Sequence, residues 1–451
     1  PDLSTELAMR LILPTLALIF WSISGSADHH AEASKISANN LSDIVKVMAS
    51  DEFEGRAPGT VGEDKTVAYL IAQMKKIGLT PGGTEGSWTQ AVPMMRSEVK
   101  PSAKMSFSSV DRVLTLAQGT SVSVDTATAR TSIVATDVPV VFVGFGANAP
   151  EQDWDDYGGI DLTGKLAIYL VNDPDFAAEP QEAVAGRFGN RRMTYYGRWT
   201  YKFEEAARRG AFGALVIHET EAAGYDWSVA AAGAGENVSL ANKDPQALPV
   251  TLQGWLHNDA ARELLAAAGH DLDALRNTAR QPEFQAFELE GMLFEADLEV
   301  DITTFDSQNV LGLLPGNERP EEVIMASAHW DAYGIGAPDE QGRTVRSGAN
   351  DDALGSAGIL ELARVIKAQP AMARSVVFAF WTAEEAGLVG SMAYAADPIF
   401  PIEKTVANFT VDILQTAGAA KDVILVGKGQ SELEDSLARV AEAAGRYVTE
   451  E

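Results

Sequence analysis

Two near-continuous apolar runs, Val323–Ala328 and Ser375–Trp381, flank a segment, Leu354–Lys367, whose apolar positions fall on one side of a helix. Uninterrupted runs of this kind are the pattern of strands buried on both faces. A helix joining two such strands implies a parallel crossover. Asn309–Leu314 and Thr405–Val411 read as two further strands. The predicted core is therefore an α/β sheet covered by helices, and in open sheets of this class functional groups lie just past the carboxyl ends of the strands.

Each strand is followed by residues that carry chemistry. Val323–Ala328 leads into His329, Trp330 and Asp331, Ser375–Trp381 into Glu384 and Glu385, and Thr405–Val411 into Asp412. Asp351 and Asp352 sit in the loop that opens the intervening helix. Each has an ordinary explanation when taken singly. His329 could be a satisfied, partly buried histidine. Paired acids favour helix N-termini, and Asp412 could be a turn residue. Together they form an uncompensated crowd of carboxylates, for which a divalent cation is the usual remedy.

Nitrogen and oxygen ligands without cysteine suit zinc, and several bridging acids suit a pair of ions about 3.5–4 Å apart. Glu384 is then free to act as a base on water, and Asp331 is placed to orient the His329 imidazole.

The motifs His329-Trp330-Asp331, Gly348-Ala349-Asn350-Asp351-Asp352, Glu384-Glu385-Ala386-Gly387-Leu388-Val389-Gly390-Ser391 and Asp412 resemble those of the co-catalytic zinc aminopeptidases, peptidase family M28. That family includes bacterial leucyl aminopeptidases and, more distantly, glutamate carboxypeptidase II and the transferrin receptor. The resemblance extends more weakly to Glu54-Gly55-Arg56 and Gly59-Thr60. It implies a three-layer αβα zinc-exopeptidase fold with a mixed, largely parallel central sheet. It also implies two zinc ions bridged by Asp351, with His329 and Glu385 completing one and Asp412 contributing to the other. Glu384 would be the general base. The family has one further histidine ligand after the strand that leads to Asp412, yet the histidines here are at 29, 30, 218, 257, 270 and 329. The expectation is a C-terminally truncated catalytic domain.

From about Ser132 the texture changes to short β-branched runs, and Asp161-Leu162-Thr163-Gly164-Lys165 with Arg209-Gly210-Ala211-Phe212-Gly213-Ala214 resembles a protease-associated domain. The expected organisation is an N-terminal peptidase part over 36–130, an inserted β-rich protease-associated-like domain over 131–290, and the catalytic domain over 300–451. The aromatics Tyr195, Tyr196, Trp199 and Tyr201 read as packing within the insert.

Met9 and Arg10 followed by the apolar run Leu11–Ile23 and the small residues Gly25, Ser26 and Ala27 read as a signal peptide within residues 1–27. The run is interrupted by Pro14 and is too short for a permanent anchor. An exported protein, periplasmic or extracellular, is expected. With no cysteine, disulfides and thiolate chemistry are excluded. A net charge of -29 repels polyphosphate backbones, so nucleic acid is not an expected partner.

The expected substrates are peptides cleaved from the amino end. Two alternatives stand beside this reading: a carboxypeptidase or dipeptidase of the same family, and a non-catalytic, receptor-like binding ectodomain.

Overall fold

The computed structural model describes residues 35–241, 249–336, 338–339, 341–425 and 431–450. The export segment expected within residues 1–27 lies outside them. The chain divides into two compact units, one made of residues up to 92 together with 307–451, the other of 93–306.

The first unit opens with helix α1 (Ala38–Met48), whose first turn is capped by the Ser37 hydroxyl accepting the Asn40 N–H. Helix α2 (Val61–Ile77) is capped in the same way by Thr60 and stopped by Gly78, whose φ of 89° lies where a side chain would be strained. Its buried Val67, Leu70 and Met74 recur at helical spacing and face the core. Between the two helices, Glu54, Gly55 and Arg56 all take left-handed backbone conformations.

The second unit contains β1 (Lys104–Ser108), β2 (Val113–Leu116), β3 (Val122–Asp125), β4 (Ser132–Gly144), β5 (Leu166–Leu170), helix α3 (Trp199–Arg208), β6 (Gly213–Ile217), β7 (Leu252–Leu256), helices α4 (Asn258–Ala267) and α5 (Leu272–Ala279), and the first part of the long β8 (Phe287–Leu314). Strands β4, β5, β6 and β7 are parallel neighbours. Strand β8 pairs antiparallel with β4 and β1, and β3 antiparallel with β7. Every residue of β5, β6 and β7 is buried. Their alternate side chains serve two cores: Leu166, Ile168, Leu215 and Ile217 meet α4 and α5 on one face, while Ala167, Tyr169, Ala214 and Val216 meet α3 on the other.

The unit is wider than the 131–290 expected from the sequence. Strands β1 and β3 precede residue 131, and the β8 stretch Leu293–Asp297 follows residue 290, yet all of them hydrogen-bond into this sheet. Tyr195 and Tyr196 stack edge-on against the buried Tyr201.

On α3, Lys202 is fully buried, and its ammonium donates to the carbonyls of Phe145 at 2.5 Å, Tyr196 at 3.1 Å and Asn172 at 3.2 Å. Burial lowers its pKa to about 8 against the opposing pull of Asp173 and Asp156. Lys202→Met is expected to strip three carbonyls of a donor and two acids of their counter-charge. The expected loss is about 3–5 kcal/mol of stability, read as a lower urea midpoint of the full chain. An unshifted midpoint would remove Lys202 from the framework of this unit.

The remainder of the first unit contains the end of β8, β9 (Arg319–His329), helix α6 (Leu354–Lys367), β10 (Arg374–Trp381), helix α7 (Val389–Ala396) and β11 (Thr405–Thr410). Strand β9 lies between β10 and β11 and is parallel to both, as the crossover through α6 requires. The end of β8 closes the other side of β10 in antiparallel register. Ala326, Ala328, Phe378 and Phe380 pack with α2 and with Leu360 and Ala363 of α6, whereas Val323, Met325, Val377 and Ala379 pack with Tyr394 of α7. Helices thus cover both faces of the sheet. Among the described residues, no helix is long and apolar enough to cross a membrane.

Candidate metal centre

The register of the three parallel strands sets the site. His329 is level with Trp381, and Ser327 with Thr410, so the chain leaves β9, β10 and β11 at one edge. There the His329 Nε2 lies 3.0 Å from Asp351 Oδ1, 3.7 Å from Glu384 Oε2 and 3.9 Å from Asp412 Oδ1. One ligand atom from each of His329, Asp351 and Asp412 falls within 4.8 Å of the others.

Two buried aspartates hold this arrangement. Asp352 accepts the Gly355 N–H at 2.8 Å and the His329 N–H at 3.2 Å, tying the start of α6 to the end of β9. Burial pushes its pKa up to about 7. Asp331 accepts the N–H groups of Glu384 at 3.0 Å and Glu385 at 3.3 Å, and its Oδ1 lies 3.3 Å from His329 Nδ1. It therefore holds the turn that carries the two glutamates and sets a carboxylate beside the imidazole. The hold on the glutamate turn has no signal in the sequence.

Glu385 stands outside the group formed by His329, Asp351 and Asp412. Its carboxylate is engaged by the Tyr333 hydroxyl, and burial raises its pKa to about 7. The register of β9 and β11 brings Asp412, rather than Glu385, into the group around the imidazole. The Glu384 pKa is raised by burial and by Asp331, Asp412 and Asp351. Of the other histidines, His218, His257 and His270 belong to the 93–306 unit. Arg343 is exposed, and its Nε donates to Asp339 Oδ2 at 2.8 Å.

The residues present fit a divalent cation. For His329, burial opposes the charged imidazolium, but Asp331, Asp352 and Glu384 outweigh it and lift the pKa to about 10. The imidazole thus faces a field that calls for a positive charge. Glu385 Oε1 is buried without a hydrogen-bond partner. Imidazole nitrogen with carboxylate oxygen is the donor set of zinc. A cavity of about 330 Å³ opens beside these groups, with Glu384, His329 and Asp412 on its wall and Trp381, Leu388, Tyr394 and Ile402 as apolar lining.

The fold and site define an α/β protein with a histidine–carboxylate cluster that could hold a metal ion at the carboxyl edge of a parallel strand set. Residues 309–451, which carry that cluster, match the model of peptidase family M28. That stretch, about a third of the chain, carries the likeness to the family. It is similar to aminopeptidase NAALADL1 of Mus musculus, 32% identical over 180 residues that make up 37% of this chain and 22% of the relative. It is also similar to aminopeptidase YwaD of Bacillus subtilis, 31% identical over 127 residues that make up 27% of this chain and 25% of the relative. The matched stretch thus spans a quarter or less of these curated relatives. Among solved structures, the aminopeptidase from Aneurinibacillus sp. strain AM-1 is 19% identical with a TM-score of 0.47, covering 93% of this chain and 86% of that one.

Proposed function

We propose that this protein is an exported zinc-dependent exopeptidase that releases N-terminal residues from peptides. The observation that carries the reading is the approach of Asp351, Asp412 and Glu384 to one imidazole nitrogen at the strand edge. His329, Asp351 and Asp412 would hold one ion, and Asp351 with Glu385 would contribute to a second. Zinc bound there supplies Lewis acidity toward a peptide carbonyl and toward water.

The chain's own groups do the rest. Glu384 takes the proton of the attacking water and returns it to the departing amine. Asp331 keeps Glu384 and the His329 ring in place through its contacts with the Glu384 N–H and His329 Nδ1. Among the described residues that line the cavity there is no lysine or arginine, while Glu384 and Asp412 supply negative charge. Such a wall favours a free α-ammonium group over a free α-carboxylate, so aminopeptidase action is preferred to carboxypeptidase action. Residues 93–306 are read as a protease-associated-like insert.

The test uses the full-length protein with an amino-acid p-nitroanilide and its N-acetylated analogue. Hydrolysis of the free-amine substrate alone is expected, lost on zinc chelation and restored by added zinc. Purified protein without divalent metal, or hydrolysis insensitive to chelation, would reject the reading.

A further inference from the structure

Arg56 lies 274 residues before Trp330 in the chain and is completely buried beneath the candidate centre. Buried arginines usually meet a carboxylate. The hydrogen bonds of this one go to main-chain carbonyls instead. Nε donates to Trp330 O at 2.8 Å, Nη1 to Met48 O and Ser347 O at 2.7 Å each, and Nη2 to Gly348 O at 2.9 Å. Trp330 is the residue between His329 and Asp331, and Ser347 and Gly348 lead into Asp351. A single planar fork therefore joins the end of α1, the end of β9 and the loop before α6.

The backbone is shaped for this fork on both sides. A side chain at Gly55 would put its Cβ 2.5 Å from Gly334 O and 2.6 Å from Arg346 O. One at Gly348 would put its Cβ 2.4 Å from Asp351 O and 2.7 Å from Arg56 Nη2. Neither approach tolerates a side chain, so glycine permits the guanidinium to sit this close to the loop. Burial lowers the Arg56 pKa to about 10 against the pull of Asp331, Asp352, Glu385 and Asp351. The group stays cationic at neutral pH and offsets the mutual repulsion of those acids.

We infer that Arg56 is a positioning residue for the metal centre: its fork fixes the segment joining His329 to Asp331 and the segment leading to Asp351, and its charge keeps the acids together before metal arrives. This rests on the metal-site reading of His329, Asp351 and Asp412. Lysine keeps the charge but presents three rotatable donors without the planar fork, so it does not replace arginine here. Glycine at position 56 suits the local φ of 52° and leaves room for a free guanidinium ion.

Arg56→Lys and Arg56→Gly are compared with the wild-type full-length protein by zinc competition against a chromophoric chelator and by amide exchange of the metal-free chain. Zinc affinity is expected to fall about 10- to 100-fold, the usual effect of losing a group that orients metal ligands. Added guanidinium is expected to restore part of it in Arg56→Gly alone. Exchange should quicken at residues 329–332 and 347–353 while β6 is unchanged. Affinity within twofold of wild type, exchange accelerated equally in β6, or loss of folding in both variants would each overturn the assignment in favour of general packing. Wild-type protein that binds no zinc would remove the metal reading; exchange at 329–332 would still decide whether Arg56 holds that segment.

Discussion

Glu384→Gln is expected to leave the zinc content unchanged while turnover of an aminopeptidase substrate falls about 100- to 10,000-fold, the usual worth of a general base. Glutamine keeps the size of the side chain, and the Glu384 main-chain N–H still reaches Asp331. Only the proton acceptor is lost. The carboxylate lies on the cavity wall with Oε2 3.7 Å from His329 Nε2, close enough to share the ligand field without belonging to the tight group of three. Zinc content by elemental analysis and kcat on the same samples separate the two effects. A variant that loses metal in proportion to activity would make Glu384 a ligand instead.

Asp351→Ala is expected to abolish both zinc binding and hydrolysis. Its Oδ1 makes the shortest approach to the imidazole, 3.0 Å, and its removal leaves His329 and Asp412 as a two-residue remnant. Loss of one acid also relieves the crowding that gives the site its affinity for a cation. Activity should fall to background and should not return with excess zinc, in contrast to Glu384→Gln, whose zinc is in place but whose turnover is low. The informative readout is bound zinc per chain after dialysis. Retention of a full equivalent would move the centre away from Asp351.

Much of the part that carries the candidate centre was legible because its signals are local. The apolar runs predicted at Val323–Ala328 and Ser375–Trp381 lie within β9 and β10, and Leu354–Lys367 is α6. The parallel crossover comes from that alternation. His329, Glu384 and Asp412 were equally readable as edge residues, since a strand end fixes where the next side chains emerge. The partner of His329 was not. Which carboxylate stands beside it depends on the register between β9 and β11, which leaves no local trace.

The extent of the 93–306 unit was not legible for a related reason. Composition changes near residue 132, but β1 and β3 enter the sheet from before that point through long-range pairing. In the sequence Arg56 stands out only as part of a weak motif. Its carbonyl partners are set by tertiary structure alone, and the adjacent Gly55, hinting at a close backbone approach, was the one available sign.

The unit bearing the candidate metal centre is split in sequence, and this orders events on the ribosome. Once residue 306 has emerged, every strand partner within 93–306 already exists, because that unit is contiguous. By contrast α1, α2 and Arg56 are made earlier and wait for β9 and α6 to be translated. Synthesis at about 5–20 residues per second makes that wait, over the 274 residues from Arg56 to Trp330, far longer than helix or hairpin formation. Through that interval Val67, Leu70 and Met74 have no sheet to cover them and Arg56 has no Trp330 carbonyl. The apolar face of α2 therefore stays uncovered until β9, α6 and β10 have been made.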